Sequence, residues 1–215
     1  FAGHVSMDNE DDAVDESFKG TVSCTVYDCE ENVVCKNNAG DNVTPYEFTE
    51  RSKKIFQGTS NAEGGKFRFA FTVPRDISYS DRPGRINLYA ANADHSREYQ
   101  GFSETFCLNG TSSAEADTIP PKVMLYVNNI DNPDFAITDE NPVVIADIFD
   151  ESGINNAGIG LGHDIELVID EDYTNYINLK SCFSYDAGSY QKGQIVYPLS
   201  NMSRGLHKVS LRVWD

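Results

Sequence analysis

Apolar residues at every second position recur along this chain, and that rhythm confines it to strands. In "GKFRFAFTV", Phe67, Phe69, Phe71 and Val73 fall on one side, with Lys66, Arg68 and Thr72 on the other. "GRINLYA" aligns Ile86, Leu88 and Ala90; "HDIELVID" aligns Ile165, Leu167 and Ile169; "HKVSLRVW" aligns Val209, Leu211 and Val213. No window carries a 3.6-residue apolar stripe with helix caps, so the pattern predicts an all-β protein.

Each half of the chain offers about seven strand-sized runs. In the first these are "FAGHVSM", "FKGTVSCTVYD", "VVCKNN", "YEFTERSKKIFQ", "GKFRFAFTVPRD", "GRINLYAANA" and "EYQGFSETFCL". In the second they are "PKVMLYV", "FAIT", "PVVIADIFD", "HDIELVID", "YINLKSCFSY", "GQIVYPLS" and "HKVSLRVWD". Between them "NGTSSAEADTIPPK" is small, polar and ends in Pro120-Pro121, a stiff linker composition. The expected architecture is two tandem immunoglobulin-like β-sandwich domains. They cover residues 1–110 and 121–215, joined by a linker at 111–120, with the second C-terminally incomplete. The antibody-type Cys…Trp…Cys core is absent, so the likeness is architectural.

Charge narrows the function. With 34 carboxylates against 17 Lys and Arg, the net charge is −17. A surface of that sign opposes nucleic-acid phosphates and anionic membranes alike. It favours solubility and suits divalent cations. No apolar run reaches the roughly 18–20 residues of a membrane-spanning helix. The chain opens at "FAGHVS" and stops at "VSLRVWD", both strand-like, which is expected of a piece of a longer protein. A missing signal peptide therefore says nothing about export.

The five cysteines form no C-x-x-C pair and no zinc spacing. Cys24 lies on the apolar face of "TVSCTVYD" and reads as a buried thiol. Cys29 and Cys35 flank "EENVV" and are the candidate disulfide, bridging a hairpin in an oxidising compartment. The acidic run "DNEDDAVDE" lacks the Asp-x-Asp-x-Asp-Gly register of a calcium loop and reads as a solvated acidic loop.

One stretch raises a chemical question: "DESGINNAGIGLGHDIELVID", residues 150–170, where four glycines lead into His163-Asp164. It is no phosphate loop, since it lacks a Gly-Lys-Ser/Thr end and leads into a strand. A nucleophile pair of His163 with Cys182 finds no local support, because "KSCFSYD" lies within a period-two run. As a metal site the stretch gathers Asp147, Asp150, Glu151, His163 and Asp164 at two strand ends, the candidate ligands for Ca²⁺. As structure it is a long inter-strand loop whose glycines permit tight turns, pinned by His163 on a carboxylate such as Asp150. The second reading is preferred. His4 and His207 fall in strands, His95 in a polar turn, and no Ser/His/Asp constellation has local support. Tyr79, Tyr89 and Trp214 are candidates for an exposed sugar-binding face, although cross-strand packing explains them equally.

Several blocks together carry a resemblance: "FTVPRDISYSDRPGRINLYAAN", "DESGIN" with "GHDIELVID", and "YQKGQIVYPLSNMSRGLHKVSLRVWD". In order and spacing they resemble the region downstream of the peptidase domain in PorU-type sortases. These are gingipain-related cysteine peptidases of the Bacteroidetes type IX secretion system. The resemblance implies an exported protein at the outer membrane or cell surface. Its parent cysteine endopeptidase would cleave sorting domains from cargo and attach cargo to lipopolysaccharide. It implies that the catalytic Cys/His dyad lies upstream, so that this segment is not itself an enzyme and holds no catalytic residue. Its partners would be the upstream peptidase domain, secreted cargo and secretion components. It also implies that Thr118, in "DTI", matches the O-glycosylation signal of these bacteria. The alternative is a cell-surface adhesion or carbohydrate-binding module of another exported protein. No cofactor is expected beyond Ca²⁺ at the carboxylate loop.

Overall fold

The computed structural model describes residues 1–7, 13–36, 40, 44–74, 77–110, 119–131, 135–154 and 164–214. Its regular structure is strand, apart from one 3₁₀ turn at Lys180–Cys182, so the all-β expectation holds.

Eight strands belong to the first half: β1 (Ala2–His4), β2 (Lys19–Tyr27), β3 (Glu31–Val34), β4 (Glu47–Glu50), β5 (Lys54–Glu63), β6 (Lys66–Arg68), β7 (Arg85–Ala91) and β8 (Glu98–Ser103). Six of them form one antiparallel sheet in the order β1-β6-β5-β2-β7-β8. β3 and β4 pair separately as a hairpin. Alternation explains the main sheet. Val22, Cys24 and Val26 of β2 are buried, and their register partners Ile86 and Ala90 on β7 are buried with them. Phe67 and Phe69 pack into the same cluster, with Phe71, Phe106 and Leu108 at its border.

The second half holds β9 (Lys122–Val127), β10 (Val143–Phe149), β11 (Glu166–Ile169), β12 (Ile177–Asn178), β13 (Phe183–Tyr185), β14 (Lys192–Pro198) and β15 (Val209–Arg212). A four-stranded sheet, β13-β14-β10-β9, faces a three-stranded one, β12-β11-β15. Val144, Ala146, Ile148 and Ile195 from the first meet Ile165, Leu167 and Leu179 in one apolar cluster. That is β-sandwich packing, with the buried residues of β10, β11, β13 and β14 turned inward.

The structure corrects several details. "YEFTERSKKIFQ" is two strands, because the chain leaves the hairpin at Arg51–Lys53 to enter the main sheet as β5. "FAIT" is no strand; Phe135 and Ile137 are exposed and lie outside the ladders. His207 stands before β15 rather than within it. Asp15, read as part of a solvated loop, is 2% exposed. Its carboxylate accepts from Ser17 N (3.1 Å), Ser17 Oγ (2.6 Å), Tyr99 OH (3.0 Å) and the Arg97 guanidinium. A carboxylate can be this deeply buried only because donors replace its water.

Candidate functional site: the junction between the halves

The two halves share one apolar cluster, and residues 150–154 sit where they meet. Asp150 is 3% exposed, and its Oδ1 accepts from the backbone N–H of Ser152 (2.8 Å) and Gly153 (3.1 Å). This Asx-type turn satisfies the buried carboxylate and aims the chain back toward β13 and β14. There Asp150 N donates to Gln191 O (2.9 Å), Ile154 N to Tyr190 O (3.1 Å) and Gln191 Nε2 to Glu151 O (2.6 Å). The Tyr185 hydroxyl donates to Ile154 O.

Three contacts cross to the first half from this turn, from β13 and from the turn that follows β13. Thr72 Oγ1 donates to Ser152 O (2.6 Å), and Gly188 N donates to Thr59 O (2.7 Å) in β5. The Phe56 ring lies 5.3 Å from that of Tyr185 and stacks on Phe71 at 4.9 Å. Phe183 meets Tyr185 edge-on at 4.9 Å, continuing the aromatic column inward. Each such ring pair adds about 0.5–1.5 kcal/mol beyond its buried area. Gly153 is fixed twice over. Its φ of +107° suits glycine, and an added Cβ would lie 2.8 Å from Tyr190 Cδ2 and 3.1 Å from Thr72 Oγ1.

Among the described residues, the candidate cation ligands Asp147, Asp150, Glu151 and Asp164 do not converge. Asp147 points to the outer side of β10 and accepts from Gln194 Nε2 (2.8 Å). Asp150 is committed to its turn, Glu151 is exposed, and Asp164 is half-buried ahead of β11. Among the described residues no three His, Cys, Asp or Glu side chains are placed to hold a metal. His163 and Thr118 lie outside the described residues. Cys29 is buried and Cys35 exposed, and both are free thiols here; Cys182 is half-buried in the 3₁₀ turn. Cys24 is buried as expected, and burial pushes its thiol up to about 12. Tyr79, Tyr89 and Trp214 are all exposed, on a first-half loop, on β7 and beyond β15 respectively.

Two features were not foreseen. First, Ser203, His207 and Asp170 do come together, with His207 Nδ1 2.7 Å from Asp170 Oδ2 and Nε2 3.2 Å from Ser203 Oγ. Yet Nε2 lies closer, at 2.9 Å, to the Ser203 carbonyl oxygen, which only accepts. A general base needs a free lone pair at Nε2, so this geometry does not activate the serine. Spacing could not reveal it, since Asp170 is 37 residues from His207. Second, the outer face of the four-stranded sheet carries an apolar row between polar ones. Tyr126, Ile145 and Val196 form one cross-strand row, and Met124 stands beside Asp147 in the next. Lys122 and Lys192 both lie over the Phe149 ring, at 5.9 and 5.6 Å. A solvated sheet face is normally polar, and the Tyr126–Ile145–Val196 row departs from that.

No family model and no curated protein matches the chain. Among solved structures, it is similar to dimeric latent PorU from Porphyromonas gingivalis, at 29% identity and a TM-score of 0.52. The similarity covers 94% of this chain and 19% of that one. Nearly the whole chain is thus remotely related to a stretch making up about a fifth of PorU.

Proposed function

We propose that this chain is the non-catalytic β-sandwich region of a PorU-like sortase. It acts as a stiff spacer that positions the peptidase domain and docks cargo or secretion components at the outer membrane or cell surface. The observation that carries this reading is the junction: a spacer transmits position only if its parts do not hinge. Here a buried turn, two crossing hydrogen bonds and an aromatic column tie the halves together. The apolar row on the outer sheet face, with Val196 and nearby Met124 more than half exposed, supports a docking role. The parent protein would supply the cysteine endopeptidase and transpeptidase chemistry.

Two experiments test this. The purified chain, incubated with cargo that carries its sorting domain, should leave the cargo intact; cleavage would overturn the non-catalytic reading. In the full-length parent, the double substitution Phe56→Ala and Tyr185→Ala should impair cargo processing while hydrolysis of a short peptide continues. Unchanged cargo processing in that variant would remove the positioning role.

A further inference from the structure

Strand alternation gives the main sheet of the first half a second, outward face. Val22, Cys24 and Val26 of β2 and Ile86 and Ala90 of β7 turn into the core. Their neighbours Ser23, Thr25, Asn87 and Tyr89 therefore turn to the other side. Register extends that side over three strands in two rows, Phe102–Asn87–Thr25 and Gln100–Tyr89–Ser23. None of the six is charged, although the chain carries a net charge of −17. Charge returns at the borders, already paired: Lys19 with Glu63 (2.8 Å) and Arg85 with Glu104 (3.0 Å).

Two exposed rings stand on this face, and both are held in place. Phe102 is 63% exposed, with the Arg85 guanidinium over its ring at 4.2 Å. Arg85 is fixed in turn by Glu104 and by Asn87 Oδ1 (2.8 Å). Tyr89 is 41% exposed, and its hydroxyl donates to Glu98, which also meets His95 Nδ1 at 3.0 Å. Tyr89 pairs with Gln100, so Phe102 is its diagonal neighbour, at a spacing of about 7–8 Å. Around the rings the polar groups stay open. Among the described residues, the Asn87 amide nitrogen, the Gln100 carboxamide and the Ser23 and Thr25 hydroxyls have no protein partner.

This chemistry selects a ligand. A charged segment would meet no counter-charge here, and a wholly apolar one would strip water from amides and hydroxyls without replacing it. A sugar chain offers both halves of the match. Its C–H faces stack on aromatic rings, and its hydroxyls exchange hydrogen bonds with amides and hydroxyls. We propose that the outer face of β2, β7 and β8 binds a neutral glycan chain. Tyr89 and Phe102 are its stacking platforms, and Asn87 and Gln100 its hydrogen-bonding groups. The sequence grouped Tyr89 with Tyr79 and Trp214; the ladder gives it Phe102 instead, and neither of the others lies on a strand.

An array of neutral mannose, glucose and galactose oligomers, with alginate oligomers as the anionic control, tests this on the 215-residue chain. At least one neutral glycan should bind, with an affinity unchanged by added salt, and alginate should not. Tyr89→Ala and Phe102→Ala should each weaken that binding at least about tenfold, and Tyr79→Ala should leave it intact. Both rings are exposed, so the melting temperature should barely move in either variant. In the unsubstituted chain, bound glycan should shift the NMR signals of the Asn87 and Gln100 side-chain amides. Binding to no neutral glycan, binding retained by the double substitution, or NMR shifts confined to other residues would overturn the proposal. So would self-association through this face, seen as a concentration-dependent mass that Phe102→Ala abolishes.

Discussion

Asp15 lies 2% exposed beneath the guanidinium of Arg97, with Tyr99 and Ser17 completing its shell of donors. Its position follows from partners 82 and 84 residues away, which an acidic run read locally does not display. Asp15→Ala should strand Arg97 and leave the Tyr99 hydroxyl hydrogen without its acceptor. Since Arg97 keeps partial access to water, the expected loss is about 2–4 kcal/mol, read from urea denaturation. Cys24 was legible, because it occupies an apolar position in a clean alternation. Its thiol, pushed up from 9.0 to about 12, ionises in the unfolded chain before the folded one. Stability from this group is therefore complete below about pH 9 and is lost as pH rises towards about 12. A thiol-specific reagent should modify exposed Cys35 and Cys107 in the native protein and reach Cys24 only on unfolding. Protection of Cys35 from alkylation without reductant would instead reveal a bridge to Cys29.

At the scale of elements, the strands with branched or aromatic residues on one face stood out in the sequence: β2, β7, β10, β11, β14 and β15. β5 was half missed, because its buried face runs Phe56, Gly58, Ser60, Ala62, and small residues carry little hydrophobic contrast. "FAIT" failed in the opposite way: it has strand composition but no ladder partner among the described residues. Of the glycine-rich stretch, the sequence named Asp150 as a partner for His163, which lies outside the described residues; that Asp150 instead closes a turn at 150–153 meeting Thr72 and Tyr190 required the fold. Two substitutions probe the junction at this scale. Gly153→Ala meets both a positive φ and a 2.8 Å contact, and should cost about 1–3 kcal/mol in thermal or urea unfolding. Phe56→Ala, which removes a buried ring shared by Phe71 and Tyr185, should cost about 3–5 kcal/mol. It should accelerate hydrogen exchange at Ile154 and Gly188 as well as in β5, because the junction opens with it.

For the whole molecule, the continuous core predicts mechanical unity where the sequence, with its Pro120-Pro121 segment, suggested two modules on a stiff tether. Composition had no means of showing this, since the contacts that join the halves come from a threonine, a glycine N–H and one tyrosine. Differential scanning calorimetry of the 215-residue chain is the most direct measurement. The account predicts one transition, with calorimetric and van't Hoff enthalpies equal, and Gly153→Ala shifting that transition as a whole. Two resolved transitions, with Gly153→Ala moving only the one from the second half, would contradict it.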